Sequence, residues 1–380
     1  MKIGILTYHR ARNYGAFMQA FGLCARLNEE ESFQAEIIDY HMDKEIRSYE
    51  INSSLLNRLF KRKQLAFMDT LSKSFGRGLT QMERSEEYCH SDSIEDFRAF
   101  ISGKYDCVLV GSDEVWKTNG FRGFPTPYWL PGELRAVKVS YAASSRCDFQ
   151  ALPEEKQNQL RELLRDFSLI SVRDTITFQQ IHELAPELDS KLMRMPDPSL
   201  ISHYSISKEN GKKLIESAVG KTIDRKIAVV MTGDKNLAQR IKKACGNEYV
   251  MISVFNYQKG YCNLPDLTPF EWADVISAAD MVFTSYFHAV CFSLISSTPF
   301  IAFGTQTKSD KVREVLTESG NIFRFLDADP NNSTVDRIKN MLVYCEKKTE
   351  CTQFLQNCEE RYQVFRNRLL EINRKGADGV

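Results

Sequence analysis

Three polar clusters stand where short apolar runs stop, and each carries a group able to do chemistry. The first is Thr284-Ser285-Tyr286-Phe287-His288, between the apolar run Met281–Phe283 and the helical pattern Ala289–Ile295. Histidine titrates near neutral pH and can therefore take and return a proton there. The start of a helix offers N–H groups and the positive end of a dipole, which together favour an anion. The plain alternative is a histidine that only closes the helix start. The second cluster is Arg173-Asp174, after the run Leu169–Val172. A guanidinium at a strand end can grip a carboxylate or phosphate through two parallel N–H bonds. Its plain alternative is an ion pair with the adjacent Asp174. The third is Ser112-Asp113, after the buried run Lys104–Gly111. Those two can hydrogen-bond a ligand hydroxyl or simply hold the turn.

The elements that must position these groups repeat one rhythm. Ile3–Thr7 is a short apolar strand, Tyr8–Gly15 a loop, and Ala16–Leu27 carries apolar residues at helical spacing. In that loop Asn13 suits a helix cap. Gly15 lets the backbone approach a ligand or turn tightly. Arg10 and Arg12 can neutralise an anion, or be solvated. Met281–Phe303 reads as strand, helix, strand, the unit of a parallel crossover. In such sheets ligands collect at the carboxyl ends of the strands. The fold expected is α/β, with two Rossmann-like domains facing across a cleft. Residues 1–205 form the first domain, with a helical insert near 53–90, and 206–350 the second. Residues 351–380 form a C-terminal helix across the junction. Pro196-Asp197-Pro198 breaks the pattern between the domains.

The insert pairs leucines and phenylalanines with a basic face, which reads as solvated, or as a lid or acidic-surface contact. The Gly- and Pro-marked loop through 120–132 is long enough to shape a binding site.

Composition removes several function classes. Acidic and basic residues balance at 50 each, so nothing points to nucleic acid. The ten cysteines show no zinc spacing, so no metal is expected, and reduced thiols suit a cytoplasmic protein. The chain opens directly on a strand, with no signal-peptide pattern, and no apolar run is long enough to cross a bilayer.

An ordered set of segments resembles the polysaccharide pyruvyl transferase family. They are Asn13-Tyr-Gly-Ala16 with Gln19, Gly111-Ser-Asp-Glu-Val-Trp116, Ser140-Tyr-Ala-Ala-Ser144, Ser171-Val-Arg-Asp174, Asp197-Pro-Ser199, and Thr284-Ser-Tyr-Phe-His288 followed by Pro299-Phe-Ile301. The resemblance implies transfer of a pyruvyl group from phosphoenolpyruvate to a sugar of a surface polysaccharide or its precursor, forming a ketal. It places the family's catalytic histidine and arginine on His288 and Arg173. Asn13, Gly15, Arg10, Arg12, Ser112, Asp113, Ser285, Tyr286 and Lys308 are then the expected substrate contacts. No cofactor is implied beyond phosphoenolpyruvate as donor substrate. The partners implied are a small anionic donor and a glycan acceptor, free or lipid-linked, with at most peripheral membrane contact.

Tyr286 departs from the pattern, since many members carry Arg there, and Ala289 stands where many have Gly. The charge at the donor phosphate would then come from Lys308, Arg10 or Arg12. Two other readings stay open. One is a GT-B glycosyltransferase using a nucleotide sugar, with Asp280 or Glu271 on the ribose. The other is a non-catalytic carbohydrate-binding relative.

Overall fold

The computed structural model describes residues 1–49, 62–304, 309–327, 334–347 and 349–377. Lys308 and the first part of the insert, 53–61, lie outside them. The chain separates into two compact units. One gathers the described residues of 1–51, 82–203 and 357–380; the other gathers those of 52–81 and 204–356. The division at 203/204 falls two residues before the expected one. The helix of the insert, Arg62–Leu79, groups with the second unit, where the order of the chain had suggested the first. Its Ser74 and Arg77 donate to Asp266 at 2.8 and 2.6 Å, and Phe67 meets the Tyr257 ring. Its exposed face carries the Lys73–Asp69 pair and reads as solvated. The C-terminal helix Thr352–Ala377 gives its first turn to the second unit and the remainder to the first.

The first unit holds six parallel strands: β1 (Lys2–Leu6), β2 (Gln34–Ile37), β5 (Cys107–Val110), β6 (Val137–Ser140), β7 (Phe167–Val172) and β8 (Leu192–Arg194). A separate two-residue ladder joins β3 (Tyr40–His41) to β4 (Cys89–His90). The main sheet order is β2-β1-β5-β6-β7-β8. Its direction of winding changes between β1 and β5, where Ile5 faces Leu109 in register. That switch point opens a crevice at the strand ends. The strands read as continuous apolar runs because helices cover both faces of a parallel sheet. Trp116 stacks on Trp129 at 5.2 Å and donates its Nε1–H to the Tyr128 carbonyl at 3.1 Å. These rings anchor the long loop after β5 in the core.

The second unit repeats the plan with β9 (Lys226–Met231), β10 (Tyr249–Ser253), β11 (Cys262–Asn263), β12 (Met281–Thr284), β13 (Phe300–Phe303) and β14 (Phe325–Leu326). The order is β11-β10-β9-β12-β13-β14, with the switch between β9 and β12. Thr268 caps the helix Pro269–Ala278, and Glu271 reaches back to the Thr268 N–H at 2.7 Å, a complete capping box.

Candidate functional site

In the first unit, the ends of β1, β5 and β7 each deliver part of one polar corner. Thr7 donates its hydroxyl to the Ser112 carbonyl at 3.0 Å. Gln19 bridges the same two residues, donating to Thr7 and accepting from the Ser112 N–H. Ser112 is fully buried and donates to the Ala142 carbonyl at 3.0 Å. It holds the turn. Gly111 just before it has φ +116°, and a Cβ there would stand 2.2 Å from the Tyr141 carbonyl oxygen. Only glycine fits. Asp113 then turns at φ +82°, a conformation costly for an ordinary residue and characteristic of functional turns.

Arg173 follows β7, and its side chain is only 4% exposed. Its Nη1 donates to Asp197 at 2.8 Å, and its Nη2 lies 3.8 Å from Asp113. The adjacent Asp174, the partner of the plain alternative, has a second task. It caps the helix Thr175–Leu184, accepting from the Thr177 N–H at 2.8 Å and from the Ser144 hydroxyl. Asp197 comes from the Asp-Pro-Ser turn, where its other oxygen accepts from the Ser199 N–H and hydroxyl at 3.0 and 2.7 Å. Burial pulls the Arg173 pKa down; Asp197, Asp113 and Asp174 together pull it up by more. The guanidinium is therefore a permanent, fixed cation at the strand ends.

The loop after β1 departs from expectation at two residues. Asn13 caps the helix Tyr14–Asn28, taking the Gly15 N–H at 3.0 Å, so that N–H serves the cap and is not offered to a ligand. Arg10 is held by Asp39 through two bonds of 2.5 and 2.7 Å. Arg84 and the buried His9 close on the same carboxylate at 2.6 and 3.0 Å. Burial would raise the Asp39 pKa, but the bonds from His9 and Arg10 hold it far below the usual carboxylate range. Arg10 thus shares the Asp39 carboxylate with Arg84, which fixes both guanidiniums in place. Arg12 lies half-buried in the same turn.

In the second unit, His288 is the second residue of the helix Phe287–Ile295, which starts two residues earlier than the apolar spacing suggested. It is buried in the helix's first turn. Thr284 donates to the Met231 carbonyl at 3.1 Å and accepts from the Tyr286 N–H at 2.9 Å. The Ser285 hydroxyl donates to Thr232 at 3.2 Å. These bonds tie the ends of β9 and β12 together at the switch point. Tyr286 donates its hydroxyl to Asn256 at 3.1 Å and meets the Phe255 ring edge-on at 5.3 Å. Burial raises its pKa, so it is a neutral phenol where a cation was expected.

Asp280 and Glu271, the ribose partners of the nucleotide-sugar reading, are occupied elsewhere. Asp280 accepts from the Ile227 N–H at 2.8 Å, at the amino ends of the strands, and Glu271 closes the capping box. The sequence reading missed Asp197 and Asp39 as partners of the arginines. Asp197 carried a signal, since Asp-Pro-Ser is a capping turn; Asp39 carried none. Among the described residues no group of three His, Cys, Asp or Glu is placed to hold a metal ion, and no helix is long and apolar enough to cross a membrane.

Two Rossmann-like units with polar corners at their strand ends define an α/β protein of GT-B-like fold. The family model for polysaccharide pyruvyl transferase matches residues 13–307, and the chain belongs to that transferase family. No curated protein matches it. Solved structures share the fold at low identity. The UDP-GlcNAc 2-epimerase from Neisseria meningitidis, bound to UDP-GlcNAc, is similar at TM-score 0.57 and 11% identity, over 98% of this chain and 100% of that one. The enzyme of the same name from Methanocaldococcus jannaschii gives 0.56 and 13%, over 96% and 99%. S. aureus MnaA in its structure with UDP gives 0.53 and 11%, over 95% and 91%.

Proposed function

We propose that the protein transfers a pyruvyl group from phosphoenolpyruvate to a sugar of a surface polysaccharide or its precursor, forming a ketal. The observation that carries this reading is the Arg173 corner. A buried guanidinium is fixed by Asp197 at the ends of the first unit's strands, beside a strained Asp113. A small dianionic donor needs such a fixed fork for its carboxylate.

The chemistry assigns the remaining roles. Protonation of the enol methylene carbon makes the adjacent carbon electrophilic. Two acceptor hydroxyls add there, each losing its proton, and the bond to the phosphate oxygen breaks, releasing phosphate. His288, in the first turn of its helix, is the acid and base, a role worth roughly two to four orders of magnitude. Asp113 orients an acceptor hydroxyl. The occupied state of Asp280 and Glu271 favours this donor over a nucleotide sugar.

The test is thermal shift and calorimetry with phosphoenolpyruvate on wild type, Arg173→Ala and His288→Ala. A ligand at one hundred times its Kd should add about 2.7 kcal/mol of stability. Stabilisation of wild type and His288→Ala, but not of Arg173→Ala, is expected. Stabilisation by UDP-GlcNAc alone would replace this reading with the nucleotide-sugar one.

A further inference from the structure

The first unit holds fixed positive charge that the Arg173 corner does not use. Arg10 and Arg84 sit on one carboxylate. Arg10 donates Nε to Asp39 Oδ1 at 2.5 Å and Nη2 to Oδ2 at 2.7 Å. Arg84 donates Nη1 to the same Oδ2 at 2.6 Å. Two guanidiniums against one carboxylate leave a positive charge over, and the buried His9 draws on that carboxylate as well, at 3.0 Å. Neighbouring acids are occupied: Glu45 accepts from Arg122 at 2.6 Å, and Asp43 meets His90 at 2.9 Å. Like charges this close repel, and a bound anion would relieve the repulsion.

The surplus reaches solvent. The Arg10 and Arg84 side chains are 24% and 23% exposed. Among the described residues, Arg10 Nη1 and Arg84 Nη2 have no hydrogen-bond partner, and Arg84 Nε is buried without one. The half-open Tyr88 ring lies 4.3 Å from the Arg10 guanidinium and helps to hold it. Guanidiniums already pinned on one side offer their remaining N–H groups without reorganisation. The match for such a fork is an oxyanion, a phosphate or a carboxylate.

This anion is not the donor. Asp39 follows β2 and Arg173 follows β7, and the sheet order puts β1, β5 and β6 between them. At the usual strand spacing that is roughly 19 Å. Arg173 reaches back toward Asp113, after β5. Two strand spacings, roughly 10 Å, still remain. Phosphoenolpyruvate, with three carbons, is shorter than either and cannot lie on both corners. The reaction has one other substrate, and both corners share the carboxyl edge of one sheet. We infer that Arg10 and Arg84, with Tyr88 beside them, form a second anion subsite that holds a phosphate or carboxylate carried by the glycan acceptor. The inference rests on the pyruvyl-transfer reading and names the class of its acceptor: an anionic glycan, either a glycosyl phosphate or a uronate.

The test is calorimetry with glucose 1-phosphate, N-acetylglucosamine 1-phosphate, glucuronic acid and galacturonic acid, against glucose, N-acetylglucosamine and inorganic phosphate. Each is titrated with and without saturating phosphoenolpyruvate into wild type, Arg10→Gln, Arg84→Gln and Arg84→Lys. Each variant leaves Asp39 one arginine, so the carboxylate is not stranded. At least one anionic sugar is expected to bind wild type with the donor present, and its neutral counterpart at least about tenfold more weakly. Each glutamine variant should weaken that sugar about ten- to a hundredfold, the scale of one hydrogen bond to a charged group. Arg84→Lys, which keeps the charge and loses the fork, should recover part of the loss. Phosphoenolpyruvate affinity should not change in any of them. Preference for the 1-phosphates assigns a glycosyl phosphate, and preference for the acids a uronate. The inference is overturned if no anionic sugar binds, if neutral sugars bind as well, if the variants have no effect, or if phosphoenolpyruvate competes. Binding of inorganic phosphate that no anionic sugar follows would also overturn it. Failure of the pyruvyl reading shows separately, as wild type that binds an anionic sugar but not phosphoenolpyruvate.

Discussion

The two switch points solve the same construction problem with opposite materials. At the first, between β1 and β5, the strand ends carry Arg10, Arg84, Asp39, Asp113, Arg173 and Asp197, bound into buried or half-buried ion pairs. At the second, between β9 and β12, the corresponding side chains are Thr232, Thr284, Ser285 and Tyr286, joined by neutral hydrogen bonds, with His288 at the helix start. In both, a threonine hydroxyl locks one strand end to its neighbour: Thr7 to Ser112, and Thr284 to Met231. The scaffold is repeated, and the charge is not. An anion's negative charge is best met where cations are already desolvated and fixed, because no reorganisation is then needed. In the proposed function the labour divides the same way: donor binding falls to the first unit, acid and base chemistry to the second.

Arg173→Ala is the largest break. It removes the donor fork and leaves Asp197 buried without its cation, and an uncompensated buried charge costs roughly 3–5 kcal/mol. Turnover should fall by about a thousandfold or more and phosphoenolpyruvate stabilisation should vanish. The double variant Arg173→Met/Asp197→Leu separates the two effects. It should recover much of the lost stability in urea melts while staying inactive. If the double variant regained donor binding, charge at the first switch point would not be what holds the donor.

His288→Ala tests the other half. Turnover should drop by roughly two to four orders of magnitude, with donor stabilisation retained. Equal loss of donor binding in His288→Ala and Arg173→Ala would erase the division between the two corners.

The pH response sharpens the contrast further. The Asp39 pKa in the folded protein is depressed, so its ion pairs contribute stability above its unfolded value, near 3.9, and lose it as pH falls through the folded value. Wild type should lose stability steeply below about pH 4, and Asp39→Asn should start less stable and show a flatter acid limb. Acid melts of the two proteins giving parallel curves would show that the Arg10, Arg84 and His9 contacts carry no linkage.

What was legible in the sequence follows from range. The strand ends, the Asn13 cap, the Thr268 capping box and the Gly111 turn are set by neighbours within a few residues, and the local pattern shows them. Partnership is different. Arg173 stands beside Asp174, yet its Nη1 donates to Asp197, while Asp174 caps its own helix. Arg10 looked unpartnered because Asp39 is 29 residues away and meets it only once β1 and β2 are paired. The insert's helix looked like part of the first unit because sequence order cannot show that Asp266 receives it. Local chemistry was readable; which charge meets which was a property of the fold.

The smallest prediction concerns the residue that sets the two corners apart most plainly. Tyr286 occupies the position where many of the family's members carry a cation, and here it is a phenol bonded to Asn256 with its hydroxyl 3.6 Å from where a Gly233 side chain would begin. Tyr286→Phe keeps the ring against Phe255 and removes one hydrogen bond, leaving Asn256 as the group to be resatisfied by water. The cost should be about 0.5–1.5 kcal/mol of stability, with donor affinity unchanged. A change in donor affinity would mean that the hydroxyl itself touches the donor. Tyr286 would then replace the missing cation with a hydrogen bond, and the second corner would share in anion binding. An unchanged affinity leaves the donor's charge to the first unit, where the arginines are already held in place before any ligand arrives.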